Sequence, residues 1–258
     1  MTVTGRDAHT EAPATSALFV YGVARADADL PRMKGVAGNP ITAVVHGDVM
    51  AVVGEVDVEE SVMRKADLTA YHQVLDRLAV EGPVVPVRFG SALPDEQGVI
   101  DGLLRRSDEL VALLDALEGR SQLTLRARYV EEAVLAEVVA DDPVIRDLND
   151  RTRGVPEQAS WAERMRLGEL VAQAVDRRRH DDAADLLDLV LPYAVEHREV
   201  RGTGLDHVVE VALLVDDERR AELEEALESY AEAVHERIRL RLLGPLAPYD
   251  FVGDARWG

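Results

Sequence analysis

The stretch "YAVEHREVRGTGLDHVVEVALLV", Tyr193–Val215, decides the fold of the second half of this 258-residue chain. Two runs rich in β-branched residues flank "RGTGL", and glycines between two such runs favour a tight turn. The stretch therefore predicts a β-hairpin with strands over Tyr193–Val200 and Asp206–Val215.

Regular patterns precede this hairpin. "QLTLRARYV", Gln122–Val130, alternates apolar and polar residues in its first part, which is typical of a half-exposed strand. A long helical region is predicted from about Pro143 to Leu189. Within it, Ser160 and Glu163 have the spacing of a capping box at a helix start.

Two further elements follow the hairpin. Asp216 is a good cap for a helix that carries an apolar stripe, and "IRLRLL", Ile238–Leu243, alternates as a strand does. The resulting order β-α-β-β-α-β is the ferredoxin-like pattern. The helical region before the second strand is longer than that pattern needs, so it counts as an insert.

The first half of the chain predicts a separate set of elements. "ALFVYGV" (Ala17–Val23) reads as a strand, and "ITAVVHGDVMAVVGEV" (Ile41–Val56) as a hairpin. Asp67 is the expected N-cap of a helix. "VVPV" (Val84–Val87) is expected to form a short buried strand. The broken helices that follow are expected to end at Gly119.

These patterns predict an α+β protein of two domains with a boundary near Gly119. We expect a disordered tail over residues 1–16 and an N-terminal α/β domain over 17–119. A ferredoxin-like domain with a long helical insert is expected over 120–244. Residues 245–258 form a C-terminal tail.

Composition excludes several functions. The formal net charge is -20, which disfavours binding to nucleic acid or to an anionic membrane surface. The chain has no cysteine, so thiolate metal sites, disulfides and cysteine nucleophiles are absent. The first residues lack the pattern of a secretory signal, and no apolar run is long enough to span a membrane.

The sequence offers no strong catalytic or cofactor motif. "RGTGLD" has paired glycines, but it joins two strands and opens no helix, so it predicts a turn and no phosphate site. His197 and His207 fall on the paired strands with Glu199 near them, yet a third metal ligand is not evident. We therefore expect no cofactor and no metal.

Acidic residues recur at helical spacing beside leucines in "HDDAADLLD". The four are Asp181, Asp182, Asp185 and Asp188. A pattern of this kind indicates the solvated face of an amphipathic helix, because a calcium loop needs a different spacing and a central glycine.

"GPVVPVRFG", Gly82–Gly90, carries the most catalytic-looking residue, Arg88. An arginine after a buried strand can bind an anion, but catalysis needs a base or nucleophile that converges on it. The candidates by residue type alone are Tyr21, Tyr71, His46 and His72. We favour a structural role for Arg88 at the seam between the domains.

Two stretches taken together resemble a known family. A helix with "YHQVLDRL" precedes "PVVPVRFGSAL", and "GPLAPYDFV" closes the chain, with Ala247 where the family pattern has a second proline. The matching residues are His72, Pro83, Pro86, Arg88, Phe89, Gly90, Gly244, Pro245, Pro248, Tyr249 and Phe251. With the first strand and hairpin, this ordered set resembles the gas vesicle protein F/L family (GvpF/GvpL).

The resemblance implies an accessory or minor structural protein of gas vesicle assembly, and no enzyme. Its implied partners are the small hydrophobic shell protein, whose nucleation or growth it would support, and other gas vesicle accessory proteins. The implied location is the cytoplasm and the gas vesicle. The alternative is a small-molecule enzyme or regulator on a ferredoxin-like scaffold, with an anion site at Arg88.

The same comparison suggests an interdomain or partner contact. We expect the two Gly-Pro segments to lie near each other, with Arg88 and Phe89 helping to dock the C-terminal tail on the first domain. In the tail, the candidate contact residues are Pro245, Tyr249 and Phe251.

Overall fold

A computed structural model describes residues 16–57, 64–200, 202 and 204–252 of the chain. The strands are β1 (Ser16–Arg25), β2 (Ile41–His46), β3 (Val49–Asp57), β4 (Val85–Pro86), β5 (Ala92–Leu93), β6 (Arg120–Tyr129), β7 (Ala194–Val200), β8 (His207–Asp216) and β9 (Ile238–Leu246). The helices are α1 (Lys65–Glu81), α2 (Glu96–Gly102), α3 (Ser107–Leu117), α4 (Glu131–Asp141), α5 (Pro143–Thr152), α6 (Glu157–Val190) and α7 (Arg220–Val234).

The chain divides into two compact units between Glu118 and Gly119. Each unit contains one antiparallel sheet with helices. The predicted mixture of helices with antiparallel strands is therefore confirmed.

The first unit is built on a sheet in the order β2-β3-β1-β4, with β5 also pairing with β1. Strand β1 is almost entirely buried, as its run of aromatic and β-branched residues predicts. Strands β2 and β3 form the predicted hairpin, whose two-residue loop has Gly47 at φ 60. A positive φ at the first loop residue suits glycine because it lacks a Cβ.

Helix α1 begins at Lys65, three residues earlier than its sequence suggests. Asp67 is the third residue of the helix, where its carboxylate accepts the backbone N–H of Arg64 at 2.8 Å. The prediction of Asp67 as N-cap is therefore wrong, because the carboxylate reaches back to the cap from inside the first turn. The apolar stripe of this helix is buried at Tyr71, Val74, Leu75 and Leu78.

The second unit has the sheet order β7-β8-β6-β9, with each neighbouring pair antiparallel. Three helices, α4 to α6, lie in sequence between β6 and β7, and α7 lies between β8 and β9. Apolar residues of β6 and β8 form one core cluster with the helices. The predicted hairpin over Tyr193–Val215 is confirmed as β7 and β8.

Details of the helical insert differ from the prediction. The helical region starts at Glu131, not near Pro143, and α6 starts at Glu157. Ser160 is inside α6, where its hydroxyl donates to the carbonyl of Pro156 at 3.1 Å. The predicted capping box at Ser160 is therefore wrong, since a serine inside a helix can donate to the carbonyl four residues earlier.

The alternation of apolar and polar residues in the first part of β6 predicts a half-exposed strand, and this prediction is wrong. Gln122 and Thr124 are buried, and so are Leu123 and Leu125. The Gln122 side chain contacts the C-terminal segment, donating to the Asp250 carboxylate at 2.6 Å and accepting the Asp250 N–H at 3.0 Å. The polar face of β6 is therefore covered at this end by residues more than 120 positions away in the chain.

Gly22 in β1 supplies a prediction for the first unit. A Cβ at this position would lie 2.8 Å from Cδ2 of Leu75 and 2.9 Å from the carbonyl oxygen of Val85. We expect Gly22→Ala to lower the free energy of unfolding by about 1–3 kcal/mol, the usual range for overpacking. The matched control is Gly102→Ala, whose Cβ would meet Leu93 at 3.7 Å. Equal urea midpoints for the two variants would contradict the close approach.

Candidate functional site

The segment Gly82–Gly90 forms the exit of a buried strand. Val84 to Val87 are buried, and β4 pairs with β1 through Pro86 opposite Gly22. The N–H of Val87 donates to the carbonyl of Tyr21 at 2.9 Å. Arg88 is exposed after this strand, and its carbonyl accepts the N–H of Ser91 in a turn. The segment is thus a short strand followed by a turn.

Phe89 packs into a group of aromatic rings within the first unit. Its ring centroid lies 5.2 Å from that of Tyr71 and 5.8 Å from that of Phe19. The Tyr71 hydroxyl donates to the carbonyl of Val87, and burial raises the pKa of Tyr71 to about 12. A tyrosine held neutral in this way is a poor general base at neutral pH, so this group of rings is a packing site.

The C-terminal candidates belong to the second unit. Pro245 lies within β9, and Leu246 pairs with Gln122. Two turns follow. The N–H of Tyr249 donates to the carbonyl of Ala247 at 2.8 Å, and the N–H of Phe251 donates to the carbonyl of Pro248 at 3.1 Å. Docking of this tail on the first domain stays a prediction.

Sequence reasoning missed a buried charged group in the second unit. Asp182 is only 6% exposed, although its helical spacing predicts a solvated face shared with Asp181, Asp185 and Asp188. Its carboxylate accepts the Tyr129 hydroxyl at 2.6 Å and a hydrogen bond from Arg237. The other three aspartates are exposed as predicted.

A second pair of carboxylates extends this charged group. Arg178 donates to Glu137 and to Asp141, the latter at 2.6 Å, and Nε of Arg237 lies 3.7 Å from Glu137. These side chains line a groove of about 530 Å³. The carboxylates of Glu137 and Asp141 come from α4, Arg178 and Asp182 come from α6, and Arg237 lies just before β9, so the group joins two helices to the start of a strand.

The chemistry of this group is that of a structural network. Burial first, and then the hydrogen bond to Asp182, raises the pKa of Tyr129, so its hydroxyl stays protonated and keeps donating. The carboxylates of Asp182 and Glu137 both face arginines. The hydrogen bonds from Tyr129 and Arg237 to Asp182 therefore join β6 and the start of β9 to α6.

The two candidate histidines are not opposite each other. His197 on β7 pairs with Leu213, whereas His207 on β8 pairs with Arg128 of β6. Burial, with a further contribution from Arg128, lowers the pKa of His207. Within the described residues no group of three histidine, aspartate or glutamate side chains is placed to hold a metal ion.

The edges of the two sheets differ in how they are protected. Charged residues interrupt β7 at Glu196, Arg198 and Glu199, and β9 contains two arginines and a proline. Strand β2, "ITAVVH", has no charged residue, no proline and an unbroken register with β3. Its Val45 is 54% exposed. Charges, prolines and bulges protect edges from pairing with other chains, so β2 is the unprotected edge among these three.

Comparisons with known proteins agree with one another. The family model described as "Gas vesicle synthesis protein GvpL/GvpF" matches residues 17–253. The chain belongs to the GvpL/GvpF family. Gas vesicle protein F of Streptomyces sp. (strain CB03234) is 31% identical over 91% of this chain and 98% of its own length. Gas vesicle protein L of the same organism is 28% identical over 92% of this chain and 93% of its own length.

Solved structures of GvpF share the fold. The crystal structure of GvpF from Anabaena sp. PCC7120 superposes with a TM-score of 0.78 at 21% identity, covering 92% of this chain and 98% of that one. The crystal structure of GvpF from Microcystis aeruginosa superposes with a TM-score of 0.72 at 20% identity, covering 92% of this chain and 98% of that one.

Membership of the GvpL/GvpF family confirms the resemblance found in the sequence and implies a role in gas vesicle assembly. The relatives are gas vesicle proteins and not enzymes, so the prediction that the chain is no enzyme is confirmed. The alternative of an enzyme with an anion site at Arg88 finds no support among them. No helix in the described part of the chain is long and apolar enough to cross a membrane.

The buried carboxylate of Asp182 supplies a second prediction. In Asp182→Asn the side chain loses the charge that faces Arg237, and we expect a loss of roughly 3 kcal/mol in the free energy of unfolding, as for other broken buried pairs. Asp185→Asn on the exposed face of the same helix is the control, with a change within about 0.5 kcal/mol. Urea unfolding followed by circular dichroism measures both. Similar midpoints for the two variants would show that the Asp182 network contributes no stability.

Proposed function

We propose that this chain is an assembly factor that binds the small hydrophobic shell protein of the gas vesicle and supports nucleation or growth of the shell. The observation that carries the proposal is the unprotected edge of β2 in a chain of net charge -20. An uncharged exposed edge is the surface that an extended segment of a hydrophobic client would pair with.

The hairpin geometry specifies which groups of β2 are available. His46 pairs with Val49 across a two-residue loop, so their backbone groups face each other. Alternation along the strand then directs the N–H and C=O of Ala43 and Val45 away from β3. Ile41 lies two residues before Ala43, and its N–H also points away from β3, because it donates to the carbonyl of Met33 at 3.3 Å. Ala43 and Val45 are therefore the residues to which we assign the client strand.

The net charge of the chain also supports the proposal. A hydrophobic client that adds a strand to β2 would otherwise tend to recruit further copies of itself. Repulsion between chains of net charge -20 opposes aggregation of such complexes. We infer that the acidic surface keeps the bound shell protein in solution until it is delivered.

The remaining details are proposals of the same kind. We infer that the protein acts in the cytoplasm and at the gas vesicle, with other gas vesicle accessory proteins as additional partners. The strand order and helix connections of the second unit support a ferredoxin-like domain with a helical insert. Contacts of Arg88, Phe89, Pro245, Tyr249 and Phe251 with a partner or between domains belong to this proposal.

Deletion of the gene tests the role in assembly. We expect cells without it to lose buoyant vesicles in density-gradient flotation, because shell growth would lack its assembly factor. Expression of the intact gene in the deletion strain is the control and should restore the buoyant band. Normal vesicles in the deletion strain would refute the assembly role.

Substitution at Ala43 tests the binding surface separately. Ala43→Pro removes one outward N–H without removing a hydrogen bond to β3, and proline is tolerated at such edge positions. We expect capture of the shell protein in a pull-down to fall about fivefold or more, since a lost backbone hydrogen bond costs about 1 kcal/mol. Ala43→Ser keeps the N–H and is the matched control. Equal capture by folded Ala43→Pro and Ala43→Ser proteins would rule out strand addition at β2, whatever the deletion strain shows.

A further inference from the structure

Four arginines lie together on one exposed face of the sheet in the second unit. Arg126 and Arg128 of β6 are directly opposite Arg241 and Arg239 of β9 in the antiparallel register. Side chains that are directly opposite each other project from the same face of a sheet. All four arginines are exposed, whereas Leu240, between the two arginines of β9, packs against the apolar core on the other face. The exposed face therefore carries two pairs of like charges in direct opposition.

The two arginines of β6 show which chemical group this face binds. Arg126 pairs with the carboxylate of Glu210 at 2.8 Å, and Glu210 lies directly opposite it on β8. Arg128 pairs with the carboxylate of Asp206, just before β8, at 3.0 Å. Both carboxylates approach β6 from the side of β8. The arginines of β6 are therefore neutralised from one side, and β9 lies on the other side.

The two arginines of β9 have no carboxylate of this kind. Neither Arg239 nor Arg241 forms an ion pair with another residue in the described part of the chain. The chain has 49 acidic residues, so carboxylates are abundant in it. Like charges directly opposite each other destabilise a sheet, and such departures from good packing are expected at binding surfaces. The arrangement therefore indicates a carboxylate that comes from outside the chain.

The position of β9 gives such a carboxylate a route to the arginines. Strand β9 is the outer strand of its sheet and pairs with β6 alone. The N–H of Val130 donates to the carbonyl of Arg237 at 2.8 Å, directly before β9. Antiparallel pairs alternate between those that exchange hydrogen bonds and those that do not, so Leu240 and Leu242 direct their backbone groups to the outer edge. A strand added there would form non-hydrogen-bonded pairs with the two arginines, and side chains are closest in such pairs.

We propose that an extended segment of a partner protein, with carboxylates at two alternate positions, adds to the outer edge of β9 and pairs with Arg239 and Arg241. Alternate residues of a strand are roughly 6.8 Å apart and project from the same face, so both carboxylates would meet arginines at once. Opposite charges at such cross-strand positions are stabilising. The arginines that protect β9 from apolar strands thus select an acidic one. This site is in the second unit, so it does not depend on the function proposed for β2.

The net charge of the chain favours a short acidic segment over a long polyanion. Nucleic acids and anionic membranes extend beyond a face of four arginines, so most of their charge would meet a protein of net charge -20. A segment with two carboxylates covers only the arginines. Carboxylates are also the groups that Arg126 and Arg128 already bind within the chain. A peptide carboxylate therefore fits this face better than a phosphate does.

Titration of the ¹⁵N-labelled full-length protein with two short peptides at low salt tests the site. In one peptide a valine separates two glutamates, and in the other the same residues are reordered so that the glutamates are adjacent. Adjacent residues of a strand project from opposite faces, so only one glutamate of the second peptide can meet the arginines. We expect the first peptide to bind with a Kd of about 0.1 to 1 mM and to shift the amide signals of Leu240 and Leu242. The second should bind about two- to fivefold more weakly. Equal affinities, or no shift of the β9 signals, would overturn the proposal.

A double substitution tests the role of the arginines. Arg239→Gln with Arg241→Gln should weaken binding of the first peptide about fivefold or more, because both cross-strand charge pairs are lost. The urea midpoint of this variant should be unchanged or higher, since the substitutions remove the opposition of like charges within the sheet. Arg153→Gln with Arg177→Gln is the matched control. It removes the same charge from two exposed arginines that form no ion pair within the described residues, and binding should stay within about twofold. Equal losses of affinity in the two double variants would refute pairing at β9.

Competition with a short oligothymidine distinguishes a carboxylate site from a phosphate site. We expect an equal concentration of the oligonucleotide to leave the first peptide bound, because its phosphates cannot add as a strand to β9. The unlabelled first peptide is the control and should compete with a labelled copy of itself. Displacement of the peptide by the oligonucleotide would assign the arginine face to phosphates and contradict the proposal.

Discussion

The second unit depends on the burial of both faces of β6 in the first part of the strand, from Gln122 to Leu125. This strand lies between β8 and β9, and its residues Leu123, Leu125 and Tyr129 belong to the apolar core. On the opposite face, the buried Gln122 holds the C-terminal segment through two hydrogen bonds to Asp250. A central strand with one free face would need only one layer of cover. Because both faces of this part of β6 are covered, the helical insert and the C-terminal segment have fixed positions within this unit.

The buried charges extend the same constraint to the helices. Asp182 on α6 is tied to Tyr129 at the end of β6 and to Arg237 just before β9. Burying a carboxylate is costly unless it is fully paired, so these partners must be in place when α6 packs. The network therefore specifies where α6 lies on the sheet, and Arg178 extends this to α4 through Glu137.

Two surfaces of different kinds remain exposed on the folded chain. Strand β2 offers backbone groups on an uncharged edge, which suits an extended partner. The first half of α6 exposes the apolar side chains of Trp161 and Met165. Membership of the GvpL/GvpF family implies a role in gas vesicle assembly.

The sequence by itself determined the family, the strands and the hairpins, because valine-rich runs, glycine turns and the ordered Gly-Pro motifs are local signals. It could not determine that Asp182 is buried, since its helical spacing matches that of the exposed Asp181, Asp185 and Asp188. The alternation of apolar and polar residues in β6 also could not reveal that Gln122 is covered by residues near position 250. Tertiary structure decided both, because burial of a polar side chain depends on partners that are distant in the chain and near only after folding.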